Sequence, residues 1–211
     1  MKKILQYFAL MIGILSFNIG WAQTYTVNTT AVDKGWFDAC VTTVPNWITF
    51  TPGSFTEAIY KANKGEITDI VFDPSLNGQT INMNGVPENA ITLCGSNITI
   101  DGNNVPTLTL QGPAEGPALI VTGNNATIKN LQFTTTSAFR GGLEYQTNNS
   151  FVENCTFLNG NLYIGHIQNP AVYVQGNTIR NCDIQSGNLQ IMGAENKVLN
   201  TTILGKIIIG H

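Results

Sequence analysis

From Asn97 onward, apolar and polar positions alternate in short runs that break at an asparagine and then resume. The recurring runs are Asn97–Gly102, Asn125–Phe133, Asn149–Phe157, Asn177–Ile184 and Asn196–Ile203. A second short run precedes most of them: Ala118–Gly123, Gly142–Thr147, Ala171–Gly176 and Asn188–Gly193. Alternation at period two predicts strands with one buried face. Its recurrence predicts a stack of coils, because one coil of such short strands cannot bury its apolar side alone. The central asparagines Asn130, Asn154, Asn181 and Asn200 are unevenly spaced, so loops of variable length are expected on a fixed coil.

Alternation also sorts the side chains into columns. Ile128, Val152, Ile179 and Val198 are expected to form one inward column, Leu131, Cys155, Cys182 and Thr201 a second, and Phe133, Phe157, Ile184 and Ile203 a third. Each member would lie ~4.8 Å from its neighbour, the spacing of paired strands. The four central asparagines fall at a corner that calls for a left-handed backbone, which Asn tolerates, and their amides are placed to bond from coil to coil. Lys129, Glu153, Arg180 and Lys197 are expected at one outward position, where opposite charges on adjacent strands contribute roughly 0.2–1 kcal/mol.

This strand, asparagine, strand pattern resembles that of the pectin-lyase-like right-handed parallel β-helix family over roughly residues 54–211. The resemblance implies an all-β, right-handed parallel β-helix with an asparagine ladder, and it is nearly silent on activity. Ahead of the coils, Ser54-Phe-Thr-Glu57 has the spacing of a capping box, and Phe55, Ala58, Ile59 and Ala62 share one helical face before Gly65. Strands are expected at Asp69–Phe72 and Gln79–Met83. The run from Gly53 to Asn63 resembles the helix that opens many secreted β-helix proteins, departing from their motif at Phe55 and Thr56. The C-terminal end is expected to stay open: Lys206–Gly210 begins a further coil with no cap after it, so the reading is that coils continue beyond His211.

The N-terminus changes the picture of where this solenoid works. Lys2 and Lys3, an uncharged apolar stretch from Ile4 to Ile19, and Gly20-Trp21-Ala22 have the parts of a secretory signal cut after Ala22. The stretch falls short of the ~20 apolar residues that span a bilayer, and no membrane span is expected after cleavage. The division expected is residues 1–22 as signal peptide, 23–52 as an extension on the cap, 53–95 as capping helix and first strands, and 96–211 as coils. Export permits disulfides. Cys40 with Cys94 is one candidate pair, while Cys155 and Cys182 are expected to stack as reduced thiols.

Charged residues make up 11% of the chain, hydrophobic residues 43%, and the formal net charge is −3. Without a basic cluster, nucleic acid is not an expected partner. No cofactor and no metal site are expected, since the cysteines form no paired motif and only two histidines are present. The resemblance implies that any working surface lies on the outward face of the first strand in each coil. It is expected to carry Ile120 and Thr122, Glu144 and Gln146, Tyr173 and Gln175, then Gln190 and Met192. Tyr173 with Glu144, Gln146, Gln175 and Gln190 would combine an aromatic platform with amide groups, which suits a sugar. Two readings stay open: a secreted or cell-surface scaffold of adhesin type contacting polysaccharide, and the N-terminal part of a polysaccharide lyase or glycoside hydrolase. The second lacks the pair of carboxyl groups that glycoside hydrolysis needs, because this face supplies Glu144 alone.

Overall fold

The computed structural model describes residues 23–35, 39–41, 49–113, 116–135, 141–165 and 174–210. The expected signal segment and Trp36, Phe37 and Trp47 lie outside them.

Strand β1 (Thr24–Val27) and helix α1 (Phe55–Asn63) come first, followed by six coils of three short parallel strands each. The first coil is β2 (Asp69–Phe72), β3 (Thr80–Asn82) and β4 (Thr92–Leu93), and the second β5 (Thr99–Asp101), β6 (Thr109–Gly112) and β7 (Leu119–Val121). The third is β8 (Thr127–Lys129), β9 (Gln132–Thr135) and β10 (Leu143–Tyr145); the fourth is β11 (Phe151–Glu153), β12 (Thr156–Asn159) and β13 (Leu162–Ile164). A short β14 (Val174–Gln175) precedes the fifth coil, β15 (Thr178–Arg180), β16 (Asp183–Ile184) and β17 (Leu189–Ala194). The sixth is β18 (Lys197–Leu199), β19 (Thr202–Ile203) and β20 (Ile207–Gly210).

Corresponding strands stack into three parallel sheets. Sheet A runs β1-β2-β5-β8-β11-β15-β18, sheet B runs β3-β6-β9-β12-β16-β19, and sheet C runs β4-β7-β10-β13-β17-β20, with β14 joined to the end of β17. The fold is therefore the all-β parallel β-helix that the alternation predicts, with one more coil than the five runs suggest.

The core is the set of inward columns. Ile70, Ile100, Ile128, Val152 and Ile179 stack in register and are fully buried. In the third column the rings of Phe133 and Phe157 stack with centroids 5.2 Å apart. Each such side chain contributes roughly 1.5–3 kcal/mol of apolar burial. Cys155 and Cys182 are buried free thiols, each donating to the carbonyl two residues back at 3.3 Å. Burial pushes both thiols up, Cys182 to about 11.

Asn130, Asn154, Asn181 and Asn200 all adopt positive φ, between 47° and 59°, at the corner from sheet A to sheet B. Their amide ladder is shorter than expected. Asn154 donates to Asn130 Oδ1 at 3.2 Å and Asn130 donates to Asp101 Oδ1 at 2.7 Å, while Asn181 is tied to the next coil through its backbone N–H, to Leu199 O at 3.0 Å. In the second coil Gly102 takes the corner position, where a Cβ would stand 2.2 Å from Asn130 O. A second polar column, not anticipated, lies inside the corner from sheet C to sheet A. Ser150, Asn177 and Asn196 each accept from the backbone N–H of the coil before, at 2.9, 3.0 and 3.1 Å.

The outward charge column needs one correction. Register places Asp101, Lys129, Glu153, Arg180 and Leu199 in line, whereas Lys197 stands opposite Thr178. Val198 occupies the inward column, so the outward position following it belongs to Leu199. The pairs formed are Lys129 with Asp101 at 3.1 Å and Arg180 with Glu153 at 2.7 Å.

Helix α1 closes the first coil with Phe55, Ala58, Ile59 and Ala62 buried as predicted. Ser54 Oγ accepts from the Glu57 N–H at 3.1 Å, but Glu57 reaches past Ser54 to accept from the Gly53 N–H at 2.9 Å and from the Tyr25 hydroxyl. Part of the extension is regular: β1 pairs with β2 as the first strand of sheet A. Asp33 fastens the extension to the cap by accepting from the Thr51 N–H and the hydroxyls of Thr51 and Ser54, each at 2.8 Å, and from Thr56 Oγ1 at 2.5 Å. Cys40 and Cys94 form a disulfide with Cα atoms 5.8 Å apart. Closing a separation of 54 residues restricts the unfolded chain by about 4 kcal/mol.

Candidate functional site

The predicted site residues fall into two groups. Glu144 lies on the outward side of β10, flanked in register by Ile120 of β7 and Tyr163 of β13, and Gln190 of β17 follows Tyr163. Gln146 Nε2 donates to Glu144 Oε1 at 2.9 Å. The aromatic member of this row is therefore Tyr163; Tyr173 lies outside the described residues. Gln175 is not in the row. It belongs to β14, opposite Ala194, and its backbone N–H donates to Asn148 Oδ1 at 2.8 Å.

The sheet C strand of the fourth coil lies one segment earlier than the alternation predicts. β13, Leu162–Ile164, forms it close after Gly160, whereas the alternation at Ala171–Gln175 is the stronger signal in the sequence. The row is also not an open platform. Glu144 is 0% exposed and Tyr163 7%, and Asn161 Nδ2 donates to the Tyr163 hydroxyl at 2.6 Å. A face so enclosed holds polar groups in place but offers little area to a polymer.

Sheet B presents the contrasting face. Its outward residues are Thr80 and Asn82, Thr109 and Gln111, Gln132 and Thr134, Thr156 and Asn159, then Asp183 and Thr202. All are exposed or half-buried. Neighbouring hydroxyl and amide groups are therefore spaced ~4.8 Å across the strands and ~6.7 Å along them. Thr109 Oγ1 donates to Gln132 Oε1 at 3.3 Å, and Gln185 Nε2 donates to Asp183, the one charged side chain among these positions, at 2.8 Å. At β12 the register slips by one residue, which turns Leu158 outward.

Sheet A is different again. Its outward positions include Asp69, Asp101, Lys129, Glu153, Arg180 and Lys197. Three sheets of one solenoid thus carry three chemistries: paired charges on A, a neutral hydroxyl and amide lattice on B, and an enclosed polar row on C. The sheet B lattice was legible in principle, since it occupies the outward positions beside the column of Phe133, Phe157, Ile184 and Ile203.

No protein-family model, curated protein or solved structure matches the chain. Among the described residues no group of three or more His, Cys, Asp or Glu side chains is placed to hold a metal ion. No helix among them is long and apolar enough to cross a membrane.

Proposed function

We propose that the protein is an exported or cell-surface β-helix scaffold of adhesin type that binds a neutral polysaccharide along the outer face of sheet B. The observation that carries this reading is the regular lattice of hydroxyl and amide groups on that face, with Asp183 as its single charge. A sugar polymer repeats its hydroxyls along one direction and meets a rigid, repeating set of donors and acceptors there. An acidic polymer would call for lysines or arginines, which the described positions of this face do not supply. The secretory pattern of residues 1–22 and the resemblance to pectin-lyase-like proteins agree with an address where such polymers occur.

Co-sedimentation with insoluble neutral and acidic polysaccharides tests the reading. Wild type is expected to pellet with a neutral polymer, and Thr109→Lys with Thr156→Lys to weaken that binding at least about tenfold, a loss of ~1.4 kcal/mol. The sheet A changes Thr127→Lys and Thr178→Lys should leave it intact. Binding to acidic polymers alone, or equal losses from both pairs, contradicts the assignment.

A second reading, a carbohydrate-active lyase or hydrolase, draws on one observation: the fully enclosed carboxyl of Glu144 beside Tyr163 on sheet C. It predicts polysaccharide cleavage that Glu144→Gln abolishes.

A further inference from the structure

An asparagine followed by glycine is a place where a chain can modify itself, because glycine has no Cβ to keep its backbone nitrogen away from the preceding side-chain carbonyl. The described residues hold Asn77-Gly78, Asn84-Gly85 and Asn159-Gly160. The first and last are restrained. Asn77 Oδ1 accepts from the Thr107 N–H at 3.2 Å and from the Thr107 hydroxyl at 2.9 Å. Asn159 Nδ2 donates to Thr135 O at 3.1 Å, and the buried Gly160 gives its N–H to Ser186 O at 2.8 Å. Asn84-Gly85 is open: both residues are exposed and line a cleft of about 490 Å³. Among the described residues neither the Asn84 amide group nor the Gly85 N–H has a hydrogen-bond partner.

Lys34 lies across this open junction: a Cβ built on Gly85 would stand 3.6 Å from its Cδ and 3.8 Å from its Nζ. Its neighbour Asp33, bonded to Thr51, Ser54 and Thr56, anchors it there. We infer that Asn84 is a site of spontaneous deamidation, promoted by the Lys34 ammonium. The Gly85 nitrogen attacks Cγ of Asn84, the new N–Cγ bond closes a cyclic imide, and the Cγ–Nδ2 bond breaks. Nδ2 leaves as ammonia, carrying the proton that the Gly85 nitrogen gives up. Water then opens the imide at either carbonyl to aspartate or isoaspartate, and the carboxyl proton passes to solvent. The attack builds negative charge on the side-chain oxygen of Asn84, which a nearby cation stabilises. The product sets a carboxylate in the turn that follows Asn82 of the sheet B face. The isoaspartyl form also lengthens the backbone of a turn pinned on both sides, by the Asn84 N–H to Asn82 Oδ1 at 2.8 Å and the Val86 N–H to Met83 O at 2.9 Å.

Incubating the intact protein at mildly alkaline pH, then separating the asparagine, aspartate and isoaspartate forms of its peptides by chromatography and mass spectrometry, tests the inference. In the folded chain Asn84 is expected to convert at least about fivefold faster than Asn77 and Asn159, whose reacting groups must first break hydrogen bonds. In guanidinium chloride the three rates are expected to converge. Lys34→Gln, a change at an exposed side chain, is expected to slow Asn84 about fivefold, the order of effect of a unit charge a few ångströms away in water, and to leave Asn77 and Asn159 unchanged. Conversion of Asn77 or Asn159 in the folded chain as fast as that of Asn84, a preference for Asn84 that persists undiminished in denaturant, or an unaltered Asn84 rate in Lys34→Gln overturns the inference.

Discussion

At the scale of single residues, a corner turn is held by backbone conformation more than by side-chain bonding. Asn154 sits at φ 52°, a region that costs most L-residues about 1–2 kcal/mol and glycine almost nothing. Its amide adds one bond, to Asn130. Asn154→Ala is therefore expected to lower stability by about 1–2 kcal/mol and Asn154→Gly by less than half of that, as read from urea midpoints at constant slope. Equal losses would mean that the amide ladder, not the left-handed turn, explains the asparagines. The corner asparagines were legible because a left-handed position selects so few residue types. Tyr163 was not, because Leu-Tyr-Ile is too short to show a period and a tyrosine in a strand signals nothing by itself.

At the scale of elements, the N-terminal cap depends on buried polar contacts. Partial burial pushes the Asp33 carboxyl up, yet the bonds from Thr56, Thr51 and Ser54 outweigh it and hold the group below the ordinary aspartate value. For a carboxyl depressed in the folded state, the stabilisation is present above the unfolded value of about 3.9 and is lost as pH falls through the folded one. Glu57 and Asp101 are depressed as well: partial burial pushes each up, and bonds from Tyr25, Lys61 and Gly53, or from Asn130, Lys129 and Asn103, outweigh it. Stability is thus expected to fall from about pH 5 downward, and Asp33→Asn to cost about 1–2 kcal/mol at neutral pH while flattening that acid slope. Denaturant unfolding between neutral pH and pH 3 checks both; an unchanged acid slope in Asp33→Asn would remove Asp33 from the account. Helix α1 and its buried face could be read from the cap residue and the 3.6-residue spacing. Strand β1 could not, because Thr24–Val27 joins sheet A through a partner more than forty residues away that no local pattern reveals.

At the scale of the whole molecule, stacking turns a local alternation into three long faces. Inward columns were readable from the sequence since burial forces apolar residues there at every coil. Outward faces are constrained only to be compatible with water or with a partner, and a one-segment error in the fourth coil was enough to misplace the aromatic of sheet C. The same stacking makes faces A and B separable by experiment, because both carry an exposed apolar reporter: Leu158 on sheet B, 37% exposed, and Phe151 on sheet A, 39% exposed. Hydroxyl-radical footprinting of the protein with and without a bound neutral polysaccharide reads them side by side. Polymer bound along sheet B is expected to protect Leu158 and leave Phe151 as reactive as before; protection of Phe151, or of neither residue while polymer is bound, would overturn the assignment of that face.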